Sequence, residues 1–254
     1  MYERALAGRT VGAGLPYQLT QSRSNIMNDS INYISVKGYD EPDHFMVWLE
    51  REKPRWGALF PEIASGFDLK KINPGGTFLP RIIVGMYLDD AYKECLRKID
   101  NGGKPLFKFQ LIEKDVSDVR KEAGKDMLIF ADGTQAHSHF TVLATGNVEN
   151  INYKELAGTP GYFAYHYRHE DAIRDYIADY KKPEIKALIL GTRLAGVDGT
   201  VLLNDFIKAN PSIKSYKLTM TSREGVIPMV RVPPKPGSTG NLKHINTNNI
   251  NAAI

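Results

Sequence analysis

The stretch 186–205, KALILGTRLAGVDGTVLLND, constrains this chain more than any other. Ala187, Leu188, Ile189 and Leu190 form a short apolar run that reads as a strand buried on both faces. Gly191 breaks the run, and from there Leu194, Val197, Val201 and Leu202 recur at helical spacing. Strand, glycine turn and helix in that order open a nucleotide-binding βαβ unit, in which the helix N-terminus faces a phosphate. A plain strand-to-helix turn of any α/β protein is the other reading. Gly191 and Gly196 take the first and third places of G-x-G-x-x-G, but Arg193 takes the second. Glycine at that place ordinarily lets the backbone approach a pyrophosphate. A second strand is expected over 216–221, ending in Ser222-Arg223. A hydroxyl and a guanidinium there suit the 2′-phosphate of NADP, where an acidic residue suits NAD. An ordinary exposed arginine is the alternative for Arg223.

The remainder of the chain adds candidate elements and removes several function classes. Net charge is +4 over 254 residues, and the basic side chains form no long run, so nucleic acid is not an expected partner. Cys95 is the single cysteine, which excludes an internal disulfide, a cysteine-based zinc site and a C-x-x-C redox pair. No apolar run reaches membrane-spanning length and no signal peptide is read, so the expected location is the cytoplasm without a membrane partner. The pairs His137/His139 and His166/His169 lack carboxylates arranged to complete a metal site, and no metal is expected.

In chain order, Glu3 is an acidic residue of the kind that hydrogen-bonds an adenosine ribose when it follows a strand; otherwise it is a solvated terminal residue. Residues 25–39 are polar and irregular, with Ile26, Met27, Ile31, Tyr33 and Ile34 expected as anchors. Phe45, Trp48 and Leu49 share one face of a short helix. Asn73-Pro74-Gly75-Gly76 marks a loop. Leu88, Ala91, Tyr92, Cys95, Leu96 and Ile99 predict a helix closed by Asn101-Gly102-Gly103, with Cys95 in the core. Strands are expected over 106–111 and 127–130, separated by a charged turn at 120–126. An Asp132-Gly133 hairpin turn and a strand over 140–144 follow. That last strand runs into Thr145-Gly146, where glycine lets a backbone pass close to a cofactor. A helix over 170–180 precedes the βαβ unit.

Five stretches together resemble the bacterial FAD/NAD(P)-binding proteins of the flavin-dependent oxidoreductase superfamily, in the subgroup related to FAD-dependent urate hydroxylase. They are Y-E-R…G-x-G-L-P-Y at 2–17, H-F-x-x-W-L at 44–49 and F-L-P-R-x-x-x-G-x-Y at 78–87. The others are V-L-A-T-G-N at 142–147 and L-G-T-x-L-x-G-V-D at 190–198 with S-R-E-G-V-I-P at 222–228. The resemblance implies an α/β, Rossmann-like flavoprotein with two dinucleotide-binding domains. Residues 1–150 would form an FAD domain, 151–230 an NAD(P) domain, and 231–254 a tail leading into a helical segment. In the FAD domain it assigns Glu3 to the adenosine ribose, Val116 to adenine through its backbone, and Thr145 and Gly146 to the diphosphate region. It also places Asn28 and Arg81 near the flavin. In the NAD(P) domain it assigns Gly191, Thr192, Arg193, Leu194, Gly196, Ser222 and Arg223 to the nucleotide.

The resembled family also carries a strand, G-x-G-x-x-G and helix ahead of the Tyr2-Glu3 equivalent, and continues beyond the equivalent of Ile254. By that comparison this chain is expected to be truncated at both ends, with an incomplete FAD domain. The implied function is an FAD-dependent oxidoreductase passing hydride from NADPH (or NADH) to flavin, a monooxygenase being one form of it. A non-catalytic nucleotide-binding module, or an inactive fragment of such an enzyme, is the alternative. No residue pattern names a small-molecule substrate, a catalytic acid or base, or an oligomeric state. On this expectation the purified 254-residue chain is colourless. Flavin absorbance near ~450 nm retained through gel filtration contradicts it.

Overall fold

The computed structural model of the protein describes residues 2–3, 10–105, 107–145 and 152–223. In chain order these form β1 (Tyr2–Glu3), α1 (His44–Arg51), α2 (Lys53–Leu59), α3 (Pro61–Ala64) and α4 (Arg81–Asp100). The strands β2 (Ile112–Glu113), β3 (Val116–Glu122), β4 (Lys125–Phe130) and β5 (Gln135–Ser138) follow in sequence, and β3 to β5 pair antiparallel. The chain then runs through α5 (Glu170–Ala178), β6 (Glu184–Leu190), α6 (Leu194–Ala209) and β7 (Ser215–Thr221). Two compact units result. One joins the chain up to Asn28 with the chain from Leu79 through β7; the other is Asp29–Phe78. Residues on both sides of position 150 belong to the first unit.

The Asp29–Phe78 unit is built on aromatic side chains. Phe45, Trp48 and Leu49 are buried at the i, i+3, i+4 spacing that the sequence predicts. The indole of Trp56 in α2 is also buried, and its Nε1–H donates to the Leu49 carbonyl at 2.8 Å. Phe67 meets Trp56 edge-on at 5.2 Å between ring centroids. Helices α2 and α3 escape a periodicity reading because each is two turns or shorter. Their signals are Pro54 and Pro61, which occupy first-turn positions where a missing N–H costs nothing. Met27 in the first unit and Ile31 in this one are buried as expected. Ile26 and Tyr33 are exposed, contrary to their reading as anchors.

In the first unit β1 and β2 pair in parallel, β3, β4 and β5 form an antiparallel meander, and β6 and β7 pair in parallel. The charged segment expected as a turn at 120–126 is mostly strand. Its chain reversal needs only Ala123 and Gly124, both at positive φ (48° and 77°), as two-residue hairpin turns require. The strand expected over 106–111 lies later, in β2 and β3, and Leu106 falls outside the described residues. Asp132-Gly133 does make a hairpin turn, with Gly133 at φ 80°. The strand that follows is Gln135–Ser138, not 140–144. β5 uses up the register offered by β4, and Phe140 and Val142 stand 90% and 91% exposed without a ladder partner among the described residues.

Helix α4 corrects two further expectations. It begins at Arg81, seven residues ahead of the predicted stripe, and it is buried continuously from Arg81 to Tyr87. Its later part is only half-buried, and Cys95 is exposed instead of in the core. Packing therefore covers one end of the helix, whereas periodicity alone suggests one face. At that covered end a Cβ on Gly85 would lie 2.1 Å from the Tyr17 carbonyl oxygen, which belongs to the 3-10 turn Leu15–Tyr17. No helix among the described residues is long and apolar enough to cross a membrane.

Gly85→Ala is expected to cost about 1–3 kcal/mol, because backbone has to move to admit a methyl group. Gly66→Ala, where a Cβ meets nothing within 4 Å, is expected to stay within about 0.5 kcal/mol. Urea unfolding of the two variants measures the contrast.

Candidate nucleotide-binding site

The βαβ unit forms as the sequence predicts. β6 and β7 stay in continuous parallel register from Glu184↔Ser215 to Leu190↔Thr221, and α6 is the crossover that parallel neighbours require. Ile185 of β6 packs in one core with Ile173 and Ile177 of α5 and Leu202 and Ile207 of α6. β6 is not buried on both faces, however. Its side chains alternate, and Leu188 and Leu190 are 62% and 51% exposed. Helices cover only one side of this two-stranded sheet among the described residues, so the apolar run exceeds what its burial uses.

The turn between β6 and α6 has the geometry of a phosphate cradle. Gly191 sits at φ 115°, a region that side-chain-bearing residues rarely adopt, and its N–H donates to the Thr221 carbonyl at 2.7 Å. A Cβ on Gly196 would lie 2.3 Å from the Gly191 carbonyl oxygen, so the helix approaches the turn this closely only with glycine there. These are the tight-turn and close-packing roles of the first and third glycines of the motif. Arg193 caps α6 in extended conformation (φ −76°, ψ −177°) without a side-chain cap bond, and its side chain is exposed. The N–H groups of a first helical turn lack intrahelical acceptors, and no acidic side chain occupies this one to repel an anion. Thr192 is buried, while Leu194 is 52% exposed. Ser222 and Arg223 follow the Thr221 carbonyl that holds Gly191. Ser222 is half-buried and Arg223 is exposed. The turn thus brings Gly191, Arg193, Gly196, Ser222 and Arg223 to one end of the sheet.

A family model described as FAD-NAD(P)-binding matches residues 6–148, more than half of the chain. The chain belongs to this family. No curated protein and no solved structure matches it. The βαβ unit lies beyond the residues matched by the family model, so its assignment rests on its own geometry.

The residues singled out for FAD fall in and just ahead of the family-matched stretch. The backbone of Glu3 pairs with Glu113 in the β1–β2 sheet. Val116 opens β3 opposite Phe130. Thr145 is exposed, and Gly146 lies outside the described residues. Among the described residues the glycine turn between a strand and a helix is the one at Gly191.

Asn28 and Arg81, by contrast, meet. The Arg81 side chain is 2% exposed, and its Nε–H donates to the Ile26 carbonyl at 2.9 Å. Nη2 donates to Asn28 Oδ1 at 2.8 Å and pairs with Asp198 Oδ2 at 2.7 Å. Nη1 donates to the Tyr167 hydroxyl, which in turn donates to the Asp198 carboxylate. Burial opposes the Arg81 charge, but Tyr167 and Asp198 outweigh it and hold the group above its ordinary pKa. Burial and donation to Asp198 push the Tyr167 phenol well up. The His166 ring lies against Tyr167 at 3.8 Å between centroids, and its buried Nε2 has no hydrogen-bond partner among the described residues. Sequence reasoning assigned no role to His166, Tyr167 or Asp198. The available signal was Asp198 itself, which closes the L-G-T-x-L-x-G-V-D stretch and stands between Gly196 and Gly199 near the start of the helix.

Burial lowers His166 from 6.5 to about 4; nearby Asp198 opposes the shift and Arg81 adds to it. The unfolded chain therefore takes up this proton first. Stability from the neutral ring is full above pH ~6.5 and is lost as pH falls toward ~4, by about 3 kcal/mol in all. Urea midpoints measured from about pH 7 to 4 are expected to fall less steeply in His166→Phe than in the natural chain.

Proposed function

We propose that the chain binds NADP(H) at the Gly191 turn and works in the cytoplasm as part of an FAD-dependent NAD(P)H oxidoreductase, with monooxygenase as its narrower activity. The carrying observation is the glycine geometry: Gly191 at φ 115° and Gly196 within 2.3 Å of its carbonyl at the Cβ position, at the start of a parallel βαβ unit. Membership in an FAD-NAD(P)-binding family supplies the chemical class. The hydride chemistry belongs to the bound nicotinamide and flavin. The chain's own residues bind and orient. Amides at the start of α6 receive the pyrophosphate, and Arg193 pairs with a phosphate oxygen from the second motif position. Ser222 and Arg223 take the 2′-phosphate, and the substrate is a small molecule. In this proposal residues 1–150 serve FAD and 151–230 serve NAD(P), with Glu3, Asn28, Arg81, Val116, Thr145 and Gly146 on the FAD side.

The presence of Arg193 in place of glycine favours a second reading, a nucleotide-binding module without turnover. Consumption of NADPH by the chain with added FAD separates the two, since the module binds NADPH without oxidising it. For the site itself, Arg223→Ala is expected to weaken NADPH about tenfold or more, the worth of a charge-assisted phosphate contact, and to leave NADH within about twofold. Equal losses for both nucleotides in a fluorescence titration remove the 2′-phosphate role.

A further inference from the structure

Helix α6 carries the candidate phosphate turn, yet the first residues of that helix have little packing to hold them. Leu194 and Ala195 are exposed, and the close contact at Gly196 is a backbone-to-backbone approach. The hold comes one turn later. Asp198 accepts from Arg81 at 2.7 Å and from the Tyr167 hydroxyl. Two turns further on, Asp205 accepts from the Ser24 hydroxyl at 2.6 Å, and the i, i+7 spacing places both carboxylates along one side of α6. Arg81 completes the attachment by taking the carbonyls of Asn25, through its backbone N–H at 2.8 Å, and Ile26, through Nε at 2.9 Å. Residues 24–28 are thereby stitched along the helix. The His166 ring lies beside the same helix, 3.5 Å from where a Cβ on Gly199 would be.

A buried ion pair is a weak source of net stability, and an apolar substitute of similar volume often serves as well. What a charged, fully bonded cluster supplies is one defined arrangement. A phosphate site needs this, because a displacement of about 1 Å is enough to lose much of the binding geometry. We propose that Asp198, with Tyr167 and Arg81, is the positioning element of the nucleotide site. The cluster holds the first turn of α6 against Gly191, and nucleotide affinity depends on a carboxylate already committed to Arg81 and Tyr167. This rests on the nucleotide-binding reading of the Gly191 turn.

The test compares the natural 254-residue chain with Asp198→Asn, Tyr167→Phe and the surface control Lys93→Ala. Deuterium exchange of the amides at 191–198 is followed without ligand, and NADP+ affinity is measured by titration. Asp198→Asn is expected to speed exchange at 191–198 and to weaken NADP+ by about tenfold each, with the rest of α6 and β6–β7 little changed. Tyr167→Phe keeps the Arg81–Asp198 pair and is expected to move both readouts the same way by a smaller factor; it decides the matter if Asp198→Asn does not fold. Lys93→Ala is expected to move neither. Unchanged exchange at 191–198, or an equal rise throughout the unit, overturns the positioning role. Failure of the natural chain to bind NADP+ overturns the nucleotide reading and the affinity claim with it, while the exchange pattern still decides whether the cluster holds the turn.

Discussion

A guanidinium removed from water has to find acceptors for its donors and a counter-charge nearby. Arg81 meets that demand with groups from three distant stretches of chain. Ile26 and Asn28 lie 55 and 53 positions before it, and Tyr167 lies 86 positions after it. Asp198 supplies the opposite charge. Breaking such a pair by removing one partner costs about 3–5 kcal/mol, a large part of a domain's whole stability. The start of α4, the 24–28 segment, the 165–169 loop and the second turn of α6 are thus constrained by one side chain.

That dependence explains which parts of the protein could be read in advance. The βαβ unit was legible because its signals are local: an apolar run, a glycine at the break, and helical spacing directly after it. The same holds for Phe45, Trp48 and Leu49, whose spacing alone predicts a shared buried face. The burial of Cys95 and Leu188 and the strand over 140–144 were misjudged for a different reason. Hydrophobicity records what a residue is able to bury, whereas burial depends on whether another element arrives to cover it. α4 is covered at one end, β6 on one face, and the 140–144 run by no strand among the described residues. Arg81 was legible as a residue of interest but not as the hub of a cluster. Its partners Tyr167 and Asp198 are long-range and polar, and neither leaves a periodic trace.

The departure of the glycine motif from its usual form also becomes intelligible in physical terms. Of its three places, only two impose a steric demand here. Gly191 has a φ of 115°, and Gly196 has a carbonyl oxygen 2.3 Å from where its Cβ would stand. Arg193 has φ −76° and ψ −177°, extended backbone that any residue adopts without strain. The substitution therefore falls at the place where the fold does not require glycine, and what it changes is access to the helix terminus. An exposed arginine at that terminus brings a mobile positive charge to the spot where the backbone amides already favour an anion. The ordinary motif gains its phosphate contact by letting the backbone come close. On the proposed nucleotide reading the same contact falls to a side chain, while the steric demands of the turn stay with Gly191 and Gly196 and the ion pair of the helix with Asp198.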